Sequence, residues 1–136
     1  MTQEEKELLH KDICARLPYN PLVEYKGEEY NVLGIAHGRL VLCKPFMSYT
    51  LKEHPLVEEV KPYLFPLSSM TEEQKQEYSY IVNYISPDDT ENWKEGEFIY
   101  VEQVTQLIHF YLINHLDFRG LIPMDLAIDA TGLNVY

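Results

Sequence analysis

The chain has 136 residues, 46% hydrophobic and 24% charged, which fits one globular domain with a core of its own and leaves disorder to the ends. Its 22 acidic against 11 basic side chains give a net charge of −11. That surface repels nucleic-acid phosphates and anionic membrane, and no cluster of basic residues offsets it, so direct nucleic-acid binding is disfavoured.

Residues 2–17 predict a helix. Thr2 and Glu5 form a capping box, Leu9, Ile13 and Leu17 recur at helical spacing, and Pro18 ends it. Three short strands follow, over 22–25, 29–35 and 39–44. Their turns are Lys26-Gly27-Glu28 and Ala36-His37-Gly38, and His-Gly suits positive φ. They make an antiparallel meander, and the unbroken apolar run Leu40-Val41-Leu42-Cys43 marks the third strand as the central one. Over 45–67, Pro55, Pro62 and Pro66 predict an irregular segment, with a strand fragment at 48–51 and a helical turn at 56–60. Its large apolar groups, Leu56 to Leu67, require that it wrap onto the core.

Thr71 and Gln74 cap a second helix with Tyr78, Ile81, Val82 and Ile85 as its apolar stripe. Residues 86–97 read as a polar loop around Trp93. A third helix is expected from Tyr100 to about His115. Its apolar face is Val101, Val104, Leu107, Ile108, Tyr111 and Leu112, and Phe110 and Ile113 point away. The tail, punctuated by Gly120, Pro123 and Gly132, is assigned a short helix and one more strand. The expected fold class is α+β: a single compact domain over 1–136, with a three-stranded antiparallel meander packed against about three helices.

Chemistry is sparse. Cys14 and Cys43 sit in apolar patterns and are expected to be buried, reduced thiols. The chain begins with neither a basic nor an apolar leader, and no apolar run approaches the roughly 18 residues of a membrane span, so a cytoplasmic protein without membrane contact is expected. His115, Asp117 and Arg119 lie close together, and an imidazole with a carboxylate in reach can orient a water. Two such ligands are too few for zinc, so no metal and no cofactor is expected. The helical stripe extends to His115. That predicts a buried ring with Asp117 as its partner, an Asp117–Arg119 salt bridge, and Gly120 as the left-handed exit. His109 should face solvent, and His10, His37 and His54 have no acid–base company. No nucleophile elbow or phosphate-binding glycine loop occurs, and no base flanks either cysteine, so no catalytic residue is assigned. Tyrosine is in excess, with 11 residues. Tyr80 and Tyr84 lie off the second helix's stripe, and with Tyr19 and Tyr49 they sit among polar neighbours, as in protein-recognition surfaces.

Two stretches carry a resemblance. Val60-Lys61-Pro62-Tyr63-Leu64-Phe65-Pro66-Leu67-Ser68-Ser69-Met70-Thr71-Glu72-Glu73 and Asn114-His115-Leu116-Asp117-Phe118-Arg119-Gly120-Leu121-Ile122, with the opening 2–17, resemble small uncharacterised proteins of gut Bacteroides-type bacteria and their phages. The resemblance implies a small cytoplasmic protein carried on a phage or mobile element. It transfers no catalytic residue.

These features rank a non-enzymatic acidic interaction protein first, an adaptor or inhibitor of a host protein. A binder of a small ligand or nucleotide signal comes second. It needs an electropositive aromatic pocket, which Tyr63, Trp93 and Arg119 only partly furnish. A small hydrolase using His115 and Asp117 comes third. The binding candidates are Tyr63, Tyr80, Tyr84, Trp93, His115, Asp117 and Arg119.

Overall fold

A computed structural model describes residues 1–47, 49–82 and 93–136, with the backbone alone over 93–101. Helix α1 (Gln3–Arg16) opens at Thr2, whose hydroxyl accepts the Glu5 amide. Strands β1 (Leu22–Tyr25), β2 (Glu28–Ala36) and β3 (Arg39–Cys43) form the expected antiparallel meander. Both of its hairpins turn on two positive-φ residues, Lys26-Gly27 and His37-Gly38, the backbone that matches strand twist. Then come β4 (Lys61–Leu64), α2 (Glu72–Val82), α3 (Trp93–Ile113) and β5 (Ile128–Asp129).

The sheet order is β3-β2-β1-β4-β5, with β4 antiparallel to β1 and parallel to β5. Two expectations fail here. The stretch 45–67 contains a regular strand, and β3 is an edge strand rather than the central one. Pro62 lies within β4, opposite Val23, at a position where the strand forgoes its N–H without losing the pairing. The apolar run of β3 is buried because residues 50–56 fold along its free edge. Leu51 N–H donates to Leu42 O (2.7 Å) and Leu40 N–H to Pro55 O (2.8 Å), sealing what would be an open template.

One sheet face carries the main core. Leu9 and Ile13 of α1, with Leu121 and Leu126 from the tail, bury Val23, Val32, Leu40, Leu42 and Leu64. Each such side chain contributes about 1.5–3 kcal/mol. The opposite face holds a smaller cluster of Leu22, Tyr63 and Ala130, joined by Phe65, Ile128 and Val135. The tail supplies β5 as expected, but 121–127 form turns where a short helix was expected.

The pair α2/α3 builds the third cluster: Ile81, Phe110 and Leu116, with Tyr78, Leu107 and Tyr111 against them. The anticipated face of α3 is therefore rotated. Phe110 is buried, while Val104 and Ile108 are exposed; Ile113 points away as anticipated. The face toward α2 runs through Gln103, Leu107, Phe110 and Asn114. Gln103 caps the end of α2 by donating to Ile81 O and Val82 O, both at 2.7 Å. Asn114 accepts from Gln74 (3.1 Å). Helix α3 is already formed at Trp93, well before Tyr100, because Lys94, Glu95 and Glu97 are good helix formers and a lone Gly96 costs only about 1 kcal/mol. The remainder of the anticipated loop, 86–92, lies outside the described residues.

Candidate functional site

Strand alternation sends Glu24 of β1, Glu29, Asn31 and Leu33 of β2, and Val41 and Cys43 of β3 to the sheet face opposite α1. Leu33, at a register shift, stays 57% exposed. Residues 44–47 and 49–50 curl back over Cys43. Its thiol lies 3.1 Å from Met47 O, 3.2 Å from Tyr49 O and 3.4 Å from Lys44 O. This clasp presents Phe46 outward at φ 65°, fully exposed, beside Met47 at 53% and Tyr49 at 63% exposure. Side chains this apolar gain nothing from water.

The same face is acidic. Glu24 and Glu29 stand directly opposite each other, an arrangement that destabilises an antiparallel pair. Lys61 is next in the row, opposite Glu24, but its ammonium goes to Asp125 at 2.9 Å. Neither carboxylate has a cationic partner among the described residues. The buried Tyr63 phenol lies beside them. Burial, then Glu29 and Glu24, push its pKa up.

Behind the sheet lies a buried charge cluster that the sequence named only in part. Asp12 and Arg16 of α1 are fully buried. Arg16 Nε donates to Asp12 Oδ2 (2.8 Å), and its Nη2 donates to Asp12 Oδ1 (3.1 Å) and Leu116 O (2.8 Å). Arg119 Nη1 reaches the same carboxylate at 2.7 Å. Both guanidiniums lie on the Phe118 ring, at 5.5 and 4.4 Å, and Tyr111 stacks on that ring at 5.0 Å. So Arg119 pairs with Asp12, not with Asp117 as expected. Asp117 instead accepts the Leu121 and Ile122 amides at 2.8 and 2.9 Å and shapes the turn that follows.

His115 is also placed differently. The helix ends before it. His115 N–H donates to Leu112 O (3.2 Å) and Leu116 N–H to Tyr111 O (2.9 Å), the paired bonds of a Schellman terminus. His115 occupies the left-handed position of that motif at φ 55°, so the exit comes five residues before Gly120. Its ring is half-buried and stacks on Tyr136, centroids 3.6 Å apart. Its Nδ1 is buried without a hydrogen-bond partner, as is Nη1 of Arg16. Burial, then Arg16, lowers its pKa to about 4. An aromatic ring favours a stacked cation, yet desolvation outweighs it here.

The other candidates do not converge on one site. Tyr80 is exposed on α2. Tyr84 and the side chain of Trp93 lie outside the described residues. No contact joins Tyr63 and Arg119 among the described residues, and no group of three or more His, Cys, Asp or Glu there could hold a metal ion. An open groove of about 450 Å³ between α1 and the β2–β3 turn is spanned by the Lys6–Glu58 ion pair at 3.7 Å.

One pairing carried a signal that reading the chain overlooked. His10 and Cys14 are one helical turn apart, and Sγ lies 3.7 Å from Nδ1. Burial raises the Cys14 pKa, so this thiol stays protonated and is a poor nucleophile. His109 is exposed as expected, but its Nδ1 meets the Tyr19 hydroxyl at 2.8 Å. Both cysteines are free, though Cys14 is only half-buried where full burial was expected. Ellman's reagent will therefore label Cys14 in the native protein well before Cys43. Equal labelling rates would show that the clasp of Lys44, Met47 and Tyr49 on Cys43 opens freely.

In comparisons with known proteins, the chain matches no family model, no curated protein and no solved structure. Its class rests on the fold: a single compact α+β domain with a mixed sheet. No helix among the described residues is long and apolar enough to cross a membrane.

Proposed function

We propose that this chain is a non-enzymatic, acidic protein-interaction module, an adaptor or inhibitor acting on another protein in the cytoplasm. The resemblance noted above adds a setting, a phage or mobile element acting on a host protein. The observation that carries the reading is the sheet face beside the 44–50 loop. There Phe46, Met47 and Tyr49 stand out to solvent around Cys43, which shares its sheet face with the opposed Glu24 and Glu29. Exposed apolar groups rimmed by charge are the usual composition of a docking patch. Glu24 against Glu29 costs the isolated fold about 0.2–1 kcal/mol, a cost that a basic partner side chain removes. Two copies meeting through this face would oppose four carboxylates, so the fitting partner is a basic, partly apolar protein surface.

The test compares capture from host lysate by the wild-type chain, by Phe46→Asp/Tyr49→Asp and by a control, Val104→Asp/Ile108→Asp, on the exposed side of α3. A protein enriched by the wild type and the control will be lost by the loop variant at unchanged melting temperature. Its retention will fall as salt rises, because screening shortens the reach of Glu24 and Glu29. Equal capture by all three, or no enrichment on any, would remove the support for this reading.

A further inference from the structure

Residues 130–136 cover the Leu22–Tyr63 end of the outer sheet face, and their attachment is unusual. Among the described residues, every hydrogen bond tying 132–136 to the sheet passes through one atom, the Tyr136 hydroxyl. It donates to Tyr63 O at 3.1 Å and accepts from Leu22 N–H at 3.0 Å. The one other hydrogen bond from these residues among those described, Leu133 N–H to Ala130 O, is local. Leu22 and Tyr63 are the next pair of the β1/β4 register, after Val23–Pro62 and Glu24–Lys61. The phenol thus stands where those two backbone groups would meet directly, and its withdrawal need orphan neither of them.

The other face of the Tyr136 ring contact is His115. At its left-handed helix terminus glycine is the usual residue, so the imidazole is held there against a conformational cost. The charged and titratable groups around the stack are few. Arg16 and Asp12 come from α1, Tyr63 from β4, and Arg119 from the turn after α3. Arg16 and Arg119 already share the single Asp12 carboxylate. Both oxygens of Asp117 are taken by backbone amides. A proton on His115 would therefore add a third cation to two guanidiniums and one carboxylate in a buried site.

We propose that residues 131–136 are a releasable strap, latched by the Tyr136 phenol between β1 and β4 and released when His115 takes up a proton. Release bares Leu22, Tyr63 and Phe65 at the edge of the Glu24–Glu29 face, enlarging the outer surface of the sheet. The Tyr136 phenol, its own pKa pushed up to about 12 chiefly by burial, remains a donor throughout, so His115 alone sets the dependence.

The test is chemical-exchange saturation transfer NMR on the whole chain between pH 7.5 and 5, reading the minor-state population at Tyr136 and at the Leu22 amide. His115 titrates near 4 when latched and near 6.5 when free. With the ordinary value as the limit in the open state, the open-to-closed ratio rises by up to roughly 30-fold over that range. Core methyls of Leu9, Ile13 and Leu40 should report no change. In His115→Asn, which tolerates the left-handed backbone, the ratio should not vary with pH. Tyr136→Phe keeps the ring but loses both hydrogen bonds, and should raise the open population already at pH 7.5. A rise of less than threefold in the wild type, an equal rise in His115→Asn, or exchange shared by the core methyls would overturn the proposal. So would a Tyr136→Phe strap as closed as the wild type.

Discussion

Replacing Asp12 with asparagine will cost about 3–5 kcal/mol of folding free energy, measured by urea unfolding at neutral pH. Asp12 is fully buried and is the carboxylate shared by Arg16 and Arg119. Asparagine keeps the shape but not the charge, so it leaves two guanidiniums uncompensated, one of them fully buried. That is a large part of the roughly 5–15 kcal/mol that holds a domain together. The ion pair itself is worth far less than its breakage suggests, because both partners gave up their hydration to form it. The double replacement Asp12→Leu/Arg16→Met should accordingly be more stable than Asp12→Asn alone. It still takes one of the two donors from Leu116 O and leaves Arg119 without its carboxylate, so it should not reach the wild type. An Asp12→Asn chain that unfolds at the wild-type urea midpoint would mean that water reaches the cluster.

The second large effect is pH dependence through His115. Its folded pKa, about 4, lies below the unfolded value near 6.5. As pH falls through that window the unfolded chain binds the proton first. The stability held by a neutral His115 is therefore complete above about pH 6.5 and is lost progressively toward pH 4. The full loss is up to roughly 3 kcal/mol. Urea midpoints at pH 7.5, 6 and 5 will trace it. His115→Asn should flatten the curve over that range, at a lower stability at pH 7.5 because the stack on Tyr136 is gone. Carboxylates whose pKa is lowered, such as Glu28, Glu53 and Asp129, lose their contribution only from about pH 4.5 downward, so the range from pH 7.5 to 5 reports His115. Release of the strap would let His115 charge without unfolding, so the observed loss would stop short of the full value. A midpoint independent of pH in the wild type would place the imidazole in water.

The parts of this fold that were legible along the chain are those settled within about four residues. Thr2 with Glu5 and Thr71 with Gln74 announce helix starts because a hydroxyl or amide reaches the amides of its own first turn. Lys26-Gly27 and His37-Gly38 announce hairpins because the turn needs positive φ. Along β2, Tyr30 and Val32 are buried and Leu33 is exposed, but with Leu33 and Ile35 also apolar the alternation alone did not say which side faces the core. The rest depends on groups brought from far along the chain. Pro62 argued against a strand until β1 supplied a register that accommodates it. The run in β3 looked central because a sealed edge and a central strand bury the same residues, and only the path of 50–56 distinguishes them. Which face of α3 is buried was set by Ile81 and Leu116, not by its own periodicity. His115, Asp117 and Arg119 were recognised as a group. Their roles were not, because Arg119's partner lies 107 positions away and the ring that stacks on His115 comes from the last residue given. A charge or an aromatic ring interacts with whatever the fold sets beside it, and spacing along the chain carries no record of that neighbour.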